Sequence, residues 1–129
     1  SAGHHRLTHD EPGDQPEVHT ITLECVKALA YQIEALRKIK EGDGTLLDHM
    51  VLLGTSEVSL GKTHSLEEMP IVLAGSCSGK LKKGIHFRPT SSDNTSKVML
   101  SICRAVGLNQ ASFGAEGGKV SDGLTGIEV

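Results

Sequence analysis

Aromatic side chains are almost missing from this sequence. Tyr31, Phe87 and Phe113 are the full set, with no tryptophan, in a chain of 129 residues that includes 15 glycines. A core must therefore be built from Leu, Ile, Val and Met, each of which contributes about 1.5–3 kcal/mol when fully buried. At this length we expect one domain or part of one over residues 1–129.

Other absences exclude whole classes of protein. Lysine and arginine number 13 against 16 aspartates and glutamates, so there is no basic excess of the kind that nucleic-acid binding requires. No apolar run approaches the roughly 20 residues of a membrane-spanning helix, and no secretion signal is visible. Cys25, Cys77 and Cys103 form no CxxC pair; one disulfide is compatible with them, but a disulfide framework is not indicated.

The most regular pattern in the chain is that of an amphipathic helix. Apolar residues recur at intervals of three and four from Val18 to Ile39. Asp14 and Glu17 have the spacing of a capping box, which predicts Asp14 as the N-cap.

A second helix is predicted over residues 95–106. Residues 91–94 offer N-cap side chains, and Gly107 is the expected stop. Residues 1–13 and 109–129 have no clear periodicity and are predicted to be mostly irregular.

Short apolar runs predict a sheet. Met50–Leu53 and Pro70–Ala74 are continuous apolar segments, and Ile85–Phe87 is a weaker candidate. Such runs are typical of strands buried on both faces, inside a parallel or mixed sheet. With flanking helices they predict an α/β fold. Two interior strands need neighbours on both sides, so we expect the sheet to be completed by residues outside this chain or by a second copy.

Potential metal ligands form a two-part pattern. His5 and His9 have a spacing that puts two imidazoles on one side of a helical turn, and Glu57 and His64 follow the first predicted strand. Imidazoles and carboxylates that converge at strand ends are suited to hydrolytic metal sites. Plainer interpretations stay open, namely a solvated N-terminal tail for the first pair and a polar surface loop for the second.

Two other motifs fail on physical grounds. Residues 56–63 imitate a phosphate-binding loop, but its first glycine is missing, Glu57 stands where phosphate would nest, and Pro70 leaves little room for the required helix. Cys77 lies in a Gly-Ser-Cys-Ser-Gly turn that imitates a nucleophile elbow, but the following residues reach Gly84 too soon for a helix. A thiol acyl-transfer enzyme is therefore a minor alternative.

Taken in order, several segments resemble the C-terminal part of an uncharacterised bacterial family marked by a HxxSHH-type motif. The matching segments are His4–His9, Glu41–Asp48, Met50–Gly54, His64, Leu73–Gly75, Gly84–His86, Asn94–Gly107 and Ser112–Gly114. They cover most of the chain. The sequence departs from the motif at Thr8, where the family has serine, and at Asp10, where it has its last histidine.

That family looks like a distant branch of the alkaline phosphatase and sulfatase superfamily. The resemblance implies an alkaline-phosphatase-like sandwich with a largely parallel or mixed sheet and flanking helices, of which this chain would be the C-terminal portion. It also implies that His5, His9, Glu57 and His64 bind a divalent metal ion, zinc or calcium.

The function implied is hydrolysis of small-molecule phosphate or sulfate esters in the periplasm or outside the cell. The catalytic nucleophile has no match here, so we expect these residues to be inactive alone. The alternative is a non-catalytic assembly or binding module that completes its sheet as a homodimer.

Overall fold

The computed structural model describes residues 3–90 and 93–129. In chain order its elements are α1 (His4–Asp10), α2 (Pro16–Lys38), β1 (Lys40–Glu41), β2 (Gly44–Thr45), α3 (Leu46–His49), β3 (Leu52–Thr55), β4 (Ile71–Ala74) and α4 (Ser96–Ala105), followed by a 3-10 turn at Glu116–Gly118. The fold is mixed α/β, as predicted. The N-cap candidates Ser91 and Ser92 lie outside the described residues.

The strands form two small antiparallel sheets. β1 pairs with β2, and β3 pairs with β4 with Leu53 opposite Leu73. The largely parallel sheet is therefore not confirmed. A parallel pair needs a crossover, usually a helix, whereas residues 56–70 contain none and return the chain as a hairpin. Val72 is 49% exposed, so β4 is not buried on both faces, and Ile85–Phe87 forms no strand.

The first two helices cap each other. The Gln15 side-chain amide donates hydrogen bonds to carbonyls in the last turn of α1, and the Glu11 carboxylate accepts from the backbone N–H groups of Glu17 and Val18 at 2.8 and 3.0 Å. Asp14 is thus not the cap, because the longer side chain of Glu11, the residue that follows α1, satisfies those donors. The opening segment, predicted as irregular, is a helix that is closed off by this exchange.

Helix α2 lies on β3 through its predicted apolar stripe. Leu29 packs so closely on Gly54 that a Cβ there would come within 2.7 Å of the leucine methyl. Ile33 and Leu36 on the same stripe are half-buried, whereas Cys25 is exposed. Not one of the 23 residues of α2 is fully buried.

The best-packed part of the described chain surrounds α4. The buried apolar side chains there and in the turn after β4 are Cys77, Leu81, Val98 and Leu100. The buried Ser101 hydroxyl donates to the Glu128 carboxylate at 2.6 Å and accepts from the Leu124 N–H at 2.8 Å, which ties the C-terminal segment to α4. Gly107, with φ +90°, ends this helix as predicted.

Candidate metal centre

Two of the predicted ligands meet across the molecule. The Nε2 atoms of His9, on α1, and His64, in the loop between β3 and β4, lie 3.2 Å apart. Their rings meet edge to face, with centroids 4.9 Å apart, although 55 residues separate them in the sequence. His9 is half-buried and His64 is exposed, so the pair lies at the surface.

The loop reaches α1 because of a glycine. A Cβ at Gly61 would lie 2.6 Å from the Cβ of Thr8, one residue before His9. Only a residue without a side chain allows this approach of loop to helix. The loop is also pinned at its base, where Leu60 and Ser65 form an isolated antiparallel bridge and the Ser59 N–H donates to the Ser65 carbonyl at 2.8 Å.

His64 completes the turn in a left-handed conformation. Its φ is +53°, and its N–H donates to the Gly61 carbonyl at 3.4 Å. Glycine adopts this region most readily, and histidine, with asparagine and aspartate, is among the other residues that adopt it more often than average.

The remaining predicted ligands are less closely engaged. The His5 ring contacts that of His9, with centroids 4.9 Å apart, so three imidazoles follow one another in space. Glu57 is exposed in the loop that follows β3. Within residues 3–90 and 93–129, however, no group of three or more His, Cys, Asp or Glu side chains is arranged to hold a metal ion. The four-residue ligand set stays a prediction.

The His9–His64 geometry fits part of a metal site. Two imidazole nitrogens bound to zinc at about 2.1 Å in a tetrahedral arrangement lie about 3.4 Å apart. The observed distance of 3.2 Å between the two Nε2 atoms is close to this expected value. When the rings hydrogen-bond directly instead, one Nε2 must carry a proton and the other must accept it.

The turn after β4 does not form a thiol active site. Cys77 is 4% exposed, and burial raises the pKa of its thiol, which disfavours the reactive thiolate. The His49 ring bonds to the Ser78 hydroxyl at 3.0 Å and to the Glu41 carbonyl at 3.2 Å instead. His49 therefore joins the β1–β2 hairpin to this turn. All three cysteines, Cys25 and Cys103 included, are free.

Residues 56–63, which imitate a phosphate-binding loop in sequence, do not fold as one. Residues 61–64 make the tight turn described above, and no helix follows before β4, which begins at Ile71. Lys62 and Thr63 are exposed at the tip of that turn.

Sequence reasoning missed the residues that position the imidazole pair. Glu11 and Gln15 set the angle between α1 and α2, and Gly61 sets the distance between loop and helix. A glycine three residues before a candidate ligand was the available signal, since glycine marks close approach as well as turns.

Comparison with known proteins identifies no relative: no protein-family model, curated protein or solved structure matches the chain.

Proposed function

We propose that this chain contributes part of the metal site of an alkaline-phosphatase-like domain that hydrolyses phosphate or sulfate esters. In this proposal the chain is the C-terminal portion of that domain, belongs to a periplasmic or extracellular protein, and is inactive alone. The single observation that carries it is the 3.2 Å approach of the His9 and His64 Nε2 atoms. The family resemblance supplies the reaction class.

The donor set favours zinc over calcium. Imidazole nitrogen suits zinc, whereas calcium takes six to eight oxygen ligands. Two imidazoles are half of a tetrahedral set, so Glu57, His5 or groups outside this chain would supply the rest. A bound divalent ion would polarise the ester and activate the attacking group. The part played by His9 and His64 would be to hold that ion where helix and loop meet.

A zinc titration with single variants tests this proposal. The chain should bind zinc with reduced affinity in His9→Ala and in His64→Ala, because each removes one of the paired nitrogens. His49→Ala is the matched control, since its ring bonds to Ser78 and Glu41. Unchanged zinc affinity in both site variants, or a loss as large in the control, would contradict the proposal.

A second candidate is a non-catalytic assembly module, and the exposed surface favours it. A compact monomer of 13.7 kDa is expected to expose about 6,600 Å². This chain exposes 8978 Å², an excess of about 2,400 Å². That excess is comparable to one side of a large obligate interface. A compact homodimer without bound zinc and without esterase activity would favour this candidate over the first.

A further inference from the structure

His49 and Ser78 form a hydrogen-bonded pair at the surface. The Nδ1 atom of His49, the last residue of α3, lies 3.0 Å from the Ser78 hydroxyl in the turn after β4, although 29 residues separate them in the sequence. The Nε2 atom of the same ring lies 3.2 Å from the Glu41 carbonyl and 3.9 Å from the exposed Asp43 carboxylate. Neither His49 nor Ser78 belongs to the proposed metal centre.

The Glu41 carbonyl determines which ring nitrogen can act as a base. A carbonyl oxygen only accepts hydrogen bonds, so the neutral His49 ring carries its proton on Nε2. Nδ1 then has a free lone pair, which accepts the hydrogen bond that the Ser78 hydroxyl donates. A hydroxyl bonded to an imidazole base, which a third group orients in turn, is the arrangement of an activated serine nucleophile.

Backbone hydrogen bonds hold the two residues together. The Ser78 N–H donates to the carbonyl of Asp48, the residue before His49, at 2.8 Å, and the Cys77 N–H donates to the Met50 carbonyl at 3.2 Å. Cys77 is buried, whereas Ser78 is exposed. The turn therefore presents to the solvent a hydroxyl beside an imidazole, and not the thiol.

The same turn gives little stabilisation to an oxyanion, because its backbone donors are engaged. The Ser78 N–H bonds to Asp48, as described, and the N–H groups of Gly79 and Lys80 donate to the hydroxyl and carbonyl of Ser76 at 3.2 and 2.8 Å. The loss of one oxyanion donor costs about 10²–10³ in rate. The pair therefore suits an ester whose leaving group departs readily, such as a thioester or an aryl ester. The surface is open to such a molecule, since a Cβ on Gly79 would meet no atom within 4 Å beyond its chain neighbours.

We propose that Ser78 accepts the acyl group of an activated carboxylic ester, with His49 as its base. The Ser78 oxygen bonds to the carbonyl carbon while its proton passes to Nδ1 of His49. The carbon–oxygen or carbon–sulfur bond to the leaving group then breaks, and the leaving group departs with the electron pair and takes the proton from Nδ1. The product is an alkyl ester of serine, which persists because its own leaving group is poor. The reaction is thus one acyl transfer to the chain, and it does not depend on the metal site.

Acetylation by p-nitrophenyl acetate tests the proposal, with EDTA present so that no metal ion takes part. Peptide mass spectrometry follows the acetyl group on each serine with time. Ser78 should be acetylated about a hundredfold faster than Ser59, since a general base contributes about 10²–10⁴ in rate. Ser59 is the internal control, because it is also exposed but its hydroxyl donates to the Ser65 carbonyl at 3.0 Å.

Variants identify the base. His49→Gln should remove the preference for Ser78, because glutamine cannot take up the proton. The matched control His19→Gln, at an exposed position of α2, should keep the preference. His9→Ala and His64→Ala should also keep it, which separates this outcome from that of the zinc titration. If His49→Gln does not fold, the original chain in urea provides the same test, because unfolding separates base from hydroxyl.

Three results would overturn the proposal. They are acetylation of Ser78 no faster than that of Ser59, a preference for Ser78 that survives in His49→Gln or in urea, and an equal loss of the preference in His19→Gln.

Discussion

At the scale of single residues, His64 has a left-handed backbone and a close imidazole neighbour. Its φ is +53°, and its Nε2 atom lies 3.2 Å from that of His9. The φ by itself does not mark a functional site, because histidine is among the residues that tolerate this region and other non-glycine residues of the chain, such as Glu68, adopt it too. His64 is held in place by the close contact of Gly61 with Thr8 on α1 and by the bridge between Leu60 and Ser65.

Two substitutions at this position separate the ring from the backbone. His64→Gly and His64→Ala both remove the imidazole, so both should lose zinc affinity. His64→Gly should be the more stable of the two by about 0.5–1 kcal/mol, because glycine adopts a positive φ freely and loses part of that gain through its flexible unfolded chain. Urea denaturation measures the difference. Equal stability, or a more stable alanine variant, would show that the turn relaxes away from φ +53°.

At the scale of elements, the paired caps between α1 and α2 set the position of His9. Glu11→Ala removes the acceptor of two N-terminal amides of α2 and should lower the free energy of unfolding by about 1 kcal/mol. It should also weaken zinc binding, because α1 loses its fixed angle to the loop.

The matched control for Glu11 is Glu24→Ala. Glu24 makes an exposed i,i+3 pair with Lys27 on the same helix, and such pairs contribute only about 0.2–0.5 kcal/mol. A zinc affinity that falls as much in Glu24→Ala as in Glu11→Ala would show that the caps do not position the site.

The short helix α3 makes stability depend on pH. Hydrogen bonds from the Thr45 hydroxyl and N–H hold the pKa of Asp48 below its ordinary value. A lowered carboxyl pKa stabilises the folded state above the unfolded pKa, near 4, and this contribution is lost as pH falls through the folded value.

Asp48→Asn tests this dependence. The variant should be less stable than the original chain at neutral pH, and the difference should shrink as both are acidified below about pH 4. Melting temperatures measured over the acid range provide the comparison. A stability difference that stays constant with pH would show that ionised Asp48 contributes nothing through these bonds.

How much of the fold could be predicted differs from element to element. Helix α2 follows from an apolar periodicity that extends over several turns, and α4 follows from the cap and stop signals at its two ends. β4 starts one residue after its predicted start, whereas β3 is displaced by two residues from the run Met50–Leu53. The antiparallel pairing of β3 with β4 was not predictable, because a four-residue apolar run indicates burial but does not show which strand lies beside it or in which direction that strand runs.

The candidate site was predictable in its residue types but not in its assembly. The spacing of His5 and His9 indicated a helical turn, and α1 provides one. That His64 would approach His9 depends on Gly61 contacting Thr8; a glycine in the loop permits such a close contact, but the local sequence does not show which residue it contacts. Glu57 shows the limit of the reasoning: it lies after a strand as predicted, yet it forms no metal-binding group within the part of the chain described.

At the scale of the whole molecule, much apolar surface is left uncovered. None of the 23 residues of α2 is buried, and Val72 on β4 is 49% exposed. The proposed metal site would likewise need ligands beyond the imidazoles of His9 and His64. A chain that works as part of a larger assembly, as proposed, would meet both needs.

Long-range proton–nitrogen NMR of the imidazole rings, recorded while zinc is added, would show whether His9 and His64 bind one ion. We expect the Nε2 signals of His9 and His64 to shift together and saturate together, while those of His19 and His49 stay unchanged. A response confined to His4 and His5, or shifts of His9 and His64 at different zinc concentrations, would contradict a shared metal centre.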